Sequence, residues 1–219
     1  IAVFFLGVQV LLHIYSKPIH RRYTFDQMSA VGPESLLIAM ITAIFVGMVF
    51  TIQVTREFIA FGATTAIGGV LAITLARELA PVLTAVVIAG RVGSAFAAEI
   101  GTMRVTEQID ALQMLKSDPV DYLVIPRVLA CALMLPLLNS ARNFMTIWDL
   151  SSLLSKALVF GILIAGIGSS WGLTTTGGAK GVGQSTTTAV VTSLLAIFTA
   201  NFFLSWVMFQ GMGSAFVGN

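Results

Sequence analysis

Residues 35–55 read SLLIAMITAIFVGMVFTIQVT, without a charged side chain and with Gln53 as the one strongly polar residue, near the far end. About 20 apolar residues in a helix match the ~30 Å hydrocarbon core of a bilayer. The stretch from Glu34 to Thr55 is therefore read as a membrane-spanning helix, with Gly32-Pro33 marking its start. The rest of the chain has the same character. Of its 219 residues 57% are hydrophobic and 10% charged, and the mean hydropathy is +0.93. A soluble domain carries roughly 25% charged residues, and disorder needs the opposite composition, so both are excluded. A net charge of +2 without a basic stripe argues against nucleic-acid binding. Cys131, the single cysteine, lies among Ala130, Ala132 and Leu133 and reads as a small packing residue.

Upstream of that span, Ile1 to Tyr15 is apolar apart from Gln9 and His13, and leads into Lys17, His20, Arg21 and Arg22. As a helix it reaches only ~22 Å, so residues 1–22 are expected to form an interfacial elbow helix with its cationic end at the headgroups. Its two histidines have no partner at metal-ligand spacing, and no metal site is expected.

Downstream, a connector from Arg56 to Gly62 leads to Ala63–Ala98, which as one helix would run ~54 Å and so must tilt, kink at Pro81, or both. Ala89, Gly93, Ala97 and Gly101 form a stripe of small residues that lets another helix approach closely. Residues 99–119 are the one sustained polar segment. Met103, Ile109, Leu112 and Leu115 fall roughly on one face, Thr106 is placed to cap, and Pro119 to end, a short amphipathic helix just outside the membrane. Val128 to Leu138 would reach only ~16 Å, too short to cross, before the polar run Asn139–Asp149. Leu150–Trp171 and Ala189–Phe209 are further spans, the latter with Asn201 in its interior; between them residues 172–188 read as a Gly/Thr-rich loop.

Lysines and arginines near the span ends give the orientation. Lys17, Arg21 and Arg22, then Arg104, Lys116 and Arg127, belong on the cytoplasmic or stromal side, as does Lys180 in the loop. The end of the chain then falls outside, with Arg142 as one mild exception. The expected architecture is an all-α membrane protein: an N-terminal interfacial elbow helix plus five transmembrane helices and a short cytoplasmic helix, all in one domain, residues 1–219.

Gly178-Ala-Lys-Gly-Val-Gly-Gln-Ser185 resembles a phosphate-binding loop, but Gln184 stands where the lysine belongs and no strand precedes it. No nucleophile–base pair and no metal-flanked carboxylate pair is visible, so no catalytic residue is expected. Charges inside apolar segments are the informative ones, because they are costly in lipid and face a cavity or one another. Arg77, Glu78 and Lys156 meet at the outer end in this topology, at the level of Gln53. Two readings stand side by side: a site at the mouth of a cavity, or a structural Glu78–Lys156 ion pair locking helices together.

The motifs RELxP at 77–81, AGRxGSAxxAEIGxMxxxEQIDAL at 89–112 and DPxxYLxxPR at 118–127 follow at spacings that resemble the MlaE family, as do SKALVFG at 155–161 and GVGQSTTTAVV at 181–191. The variant at 171–187 is most similar to its cyanobacterial and chloroplast members. The family comprises permease subunits of ABC transporters that move phospholipids and related lipids between membranes. The resemblance implies a homodimer with a lipid cavity between the subunits, lined at its mouth by Arg77, Glu78 and Lys156, with Phe50 and Gln53 on the first span. It implies a cytoplasmic or stromal ATPase dimer, which binds the ATP and magnesium and grips a coupling helix at Thr106, Glu107, Gln108, Asp110 and Leu112. It also implies an MCE-domain hexamer on the far side, and a bacterial inner membrane or chloroplast inner envelope as the location. The chain itself is then no enzyme and holds no cofactor. A non-transporting scaffold or channel subunit is the alternative. Family members carry roughly a further half-helix and an outer loop after Leu138, so a segment is expected to be missing between Leu138 and Asn139.

Overall fold

The computed structural model describes residues 9–10, 21–63, 65, 67–138 and 147–209. These form α1 (Arg21–Val31), α2 (Pro33–Ala60), α3 (Ile67–Val105), α4 (Gln108–Met114), α5 (Val120–Leu138), α6 (Ile147–Leu173) and α7 (Gly178–Phe209), with no strand among the described residues. Among the described residues five helices are long and apolar enough to cross a membrane, so the all-α membrane fold is as expected. Of the elbow helix expected at 1–22 only residues 9–10 and 21–22 are described; its remainder, Asn139, Arg142 and the tail after Phe209 lie outside the described residues.

Several boundaries differ from the reading of the sequence. The connector at 56–62 is mostly helix, since α2 runs to Ala60 before Gly62 turns at φ +72°. α3 does not stop at Ala98; residues 99–105 continue it. It passes Pro81 by widening into a π turn at Leu75–Leu79, and a second lies at Ala89–Gly93. The third crossing starts at Val120, not Val128, because a π turn at Val120–Val124 carries the helix into Pro126. Its 19 residues reach ~28 Å, enough to cross. The Asp118 carboxylate accepts the Val120 N–H at 2.9 Å and closes the start of this helix.

The Gly/Thr-rich loop shrinks to a turn. α6 ends at Leu173, Gly177 and Gly178 turn at φ +87° and +66°, and Gly178–Phe209 is helix. The threonines fit that helix by donating back to carbonyls, Thr187 to Gly183 and Thr188 to Gln184. The sequence resembling a phosphate loop is thus a helical turn.

α6 is the centre of the bundle, and glycine lets its neighbours touch backbone to backbone. A Cβ on Gly168 would lie 2.8 Å from the Gly93 carbonyl oxygen, and one on Gly172 would lie 2.7 Å from Ile100 Cβ. The stripe Ala89, Gly93, Ala97 and Gly101 is buried and serves this packing. Cys131 is fully buried in the same core, beside Val128, Leu135 and Phe160.

Candidate functional site

The polar cluster at the end of the bundle away from α4 begins with Pro81. Proline carries no N–H, so the α-helical bond that residue 81 would donate to the Arg77 carbonyl cannot form. The π turn at this point leaves that carbonyl to accept from Lys156 Nζ at 3.1 Å. The same ammonium lies 2.8 Å from Glu78 Oε1 and 2.9 Å from Ser205 Oγ. Asn201 Nδ2 donates to Glu78 Oε2 at 3.2 Å, and Ser205 Oγ lies 3.1 and 3.2 Å from the two carboxylate oxygens. Lys156 is wholly buried whereas the Glu78 side chain keeps 37% of its surface. A buried ammonium is held only when hydrogen bonds complete it, as the three acceptors around Lys156 do.

The structure therefore brings Glu78 and Lys156 together, along with the Arg77 backbone. It does not bring in the two first-span residues. Gln53 is exposed and Phe50 half-buried on α2. Neither lines the apolar groove of about 380 Å³ between α2 and α3, whose walls include Ala43, Gly47, Leu75, Leu79 and Leu153. Asn201 and Ser205 were not singled out as site residues from the sequence. Their one signal is two polar side chains four residues apart on a helix face otherwise apolar.

At the opposite end, 28 residues or ~42 Å along α3 from Glu78, the chain turns into α4. Thr106 does not cap that helix: its hydroxyl donates to the Thr102 carbonyl at 2.8 Å, closing α3. Glu107 makes the turn at φ +60° and occupies the cap position instead. Arg104 pairs with Asp110 at 2.5 Å across the turn. Ile109 is buried against Ile100 and Leu123, with Leu112 and Met103 packed beside them. α4 ends at Met114, before Pro119, and Leu115 leaves the apolar face: Met114 and Leu115 are 86% and 76% exposed. Thr106, Glu107, Gln108 and Asp110 are likewise exposed. Gly101 packs on Thr175, so the α6–α7 turn shares this end, in agreement with the topology read from the charges.

Between the two ends Arg91, in the second π turn, reaches the α1–α2 junction. It donates to the Ala30 carbonyl at 3.0 Å and to Ser35 Oγ at 2.5 Å, and pairs with Glu34 at 3.1 Å. Arg127 pairs with Glu99 at 2.7 Å and lies over the Phe96 ring. These two arginines fasten helices and leave the ends of the bundle as the functional candidates.

Five crossing helices, one buried ion pair recessed at one end and an exposed amphipathic helix at the other define an integral membrane protein of the permease type. The family described as Permease MlaE matches residues 24–141 and 138–207. The chain belongs to that family. It is 64% identical to a probable ABC transporter permease protein of Synechocystis sp., over 100% of this chain and 94% of that protein. It is 48% identical to the chloroplast protein TRIGALACTOSYLDIACYLGLYCEROL 1 of Arabidopsis thaliana, over 94% of this chain and 67% of that protein. A probable ABC transporter permease of Pyropia yezoensis is 44% identical over 96% and 90% respectively. The Synechocystis alignment extends over 246 positions against 219 residues here, and the family match restarts at 138.

Proposed function

We propose that the chain is the membrane subunit of an ABC transporter that moves phospholipid or a related lipid between membranes. Two copies enclose a cavity, a separate ATPase dimer binds ATP and magnesium on the α4 side, and an MCE-domain hexamer receives or delivers lipid on the outer side. The observation that carries this reading is the Glu78–Lys156 pair, recessed among apolar helices yet open to one side through Glu78. A polar cluster of this kind is costly in lipid, and ionisable residues within membrane helices mark substrate pathways. Acyl chains lie along apolar walls, where each buried CH₂ contributes about 0.8 kcal/mol, and the headgroup lies at Arg77 and Glu78.

α4 transmits the ATPase motion. Glu107, Gln108 and Asp110 offer polar contacts to it, while Ile109 and Leu112 anchor the helix to the bundle. Closure of the ATPase dimer moves this anchored helix and, through the continuous α3, the far polar cluster.

The test is transfer of fluorescent phospholipid by the reconstituted complex, comparing the parent with Glu78→Ala. Loss of transfer and of lipid-stimulated ATP hydrolysis is expected. Parent-level rates in both assays would favour the scaffold reading instead.

A further inference from the structure

We infer that Lys156 touches no lipid: it is a positioning residue that, with Ser205 and Asn201, holds Glu78 as an acceptor for headgroups bearing hydrogen-bond donors. This rests on the outer cluster being the headgroup site.

An ammonium has three N–H bonds and no acceptor. Those of Lys156 face three acceptors, the Arg77 carbonyl, Glu78 Oε1 and Ser205 Oγ, at 3.1, 2.8 and 2.9 Å. The residue has no exposed surface, so no phosphate oxygen reaches it without breaking that set. Glu78 is placed differently. A carboxylate accepts at about four lone-pair positions, and among the described residues the donors are Lys156, Asn201 and the single hydroxyl proton of Ser205. One position stays open on a side chain that is 37% exposed. An ionised acceptor facing outward welcomes an ammonium or a hydroxyl and repels an anionic oxygen. Ethanolamine and glycerol headgroups satisfy this arrangement; choline carries the same charge as ethanolamine but no N–H.

The experiment incubates the assembled complex with vesicles of equal parts dioleoylphosphatidylethanolamine and dioleoylphosphatidylcholine, and measures both lipids retained on the purified protein by mass spectrometry. The variants are Glu78→Gln, Lys156→Met, the double variant and Ser205→Ala. The parent is expected to favour phosphatidylethanolamine by roughly tenfold, the scale of one hydrogen bond to a charged group. Glu78→Gln and Lys156→Met should each bring the ratio close to parity, Ser205→Ala part of the way. The double variant should be no worse than Glu78→Gln alone, since a residue acting through another shows no separate effect once that other is gone.

A parent ratio of one overturns the inference, as does a further loss of total lipid when Lys156→Met is added to Glu78→Gln. Retention at the parent level and ratio in every variant overturns the headgroup site itself. If Lys156→Met does not assemble, Lys156→Gln and Ser205→Ala carry the same comparison.

Discussion

A Cβ placed on Gly161 of α6 would lie 2.5 Å from the carbonyl oxygen of Cys131 on α5. Nothing flexible stands in the way, only the α5 backbone, whose Ala132 nitrogen would be 3.0 Å away. The two helices meet here backbone against backbone, and the tolerance of the bundle to substitution follows from such contacts.

Gly161→Ala should therefore lower stability by about 1–3 kcal/mol, the usual cost of forcing a methyl into a filled interior. Gly166→Ala, on the same helix with nothing within 4 Å of its Cβ, should be neutral or gain up to about 1 kcal/mol from helix propensity. Thermal unfolding in detergent separates the two. Equal midpoints would remove close packing as the reason for Gly161.

The Glu78–Lys156 pair should respond unevenly to its two deletions. Glu78→Ala strands a fully buried ammonium, whereas Lys156→Met leaves a carboxylate that is 37% exposed and still bonded to Asn201 and Ser205. Removing one partner from a buried pair costs about 3–5 kcal/mol, and Glu78→Ala should approach that range while Lys156→Met falls well below it. The comparison is again a pair of melting curves; a larger loss for Lys156→Met would contradict the burial asymmetry.

Met114→Glu with Leu115→Glu removes two exposed apolar side chains at the end of α4. Surface changes of this kind move stability by no more than about 0.5 kcal/mol. Co-purification of the ATPase should nevertheless fall, and Glu107→Lys with Asp110→Lys should act in the same direction. Undiminished co-purification in both would remove α4 as the coupling element.

Cys131 has no accessible surface. Maleimide labelling of the folded protein should proceed only at the rate at which the α5–α6 contact opens, and rise by orders of magnitude in denaturant. The ratio of the two rates then reports the local stability of this contact. Immediate labelling of the native protein would show the interface to be loose.

Much of this was legible in the sequence, because crossing a membrane is a local requirement. A helix in lipid satisfies its own backbone, so twenty apolar residues announce a span wherever they occur. That identified the five crossings, the polar segment before Pro119, the small-residue stripe on α3 and, through RELxP and its companions, the family. Boundaries were lost where one residue type serves two structures. Gly178–Thr188 looks like a loop by composition, yet its threonines return hydrogen bonds to their own helix. The apolar run read from Val128 is too short to cross, and the π turn at Val120–Val124 makes the residues before it part of the span.

The sequence alone determined that Arg77, Glu78 and Lys156 are out of place in lipid and belong at one end. Only the tertiary structure decided which atoms meet. Lys156, Asn201 and Ser205 reach Glu78 across sequence separations of 78, 123 and 127 residues. Periodicity and propensity act over a few turns and do not set how α6 and α7 rotate about their axes. The packing of Gly168 on Gly93 and of Gly172 on Ile100 fixes α6 against α3, so it is the close approach of these helices that brings Lys156 onto Glu78 and the Arg77 carbonyl.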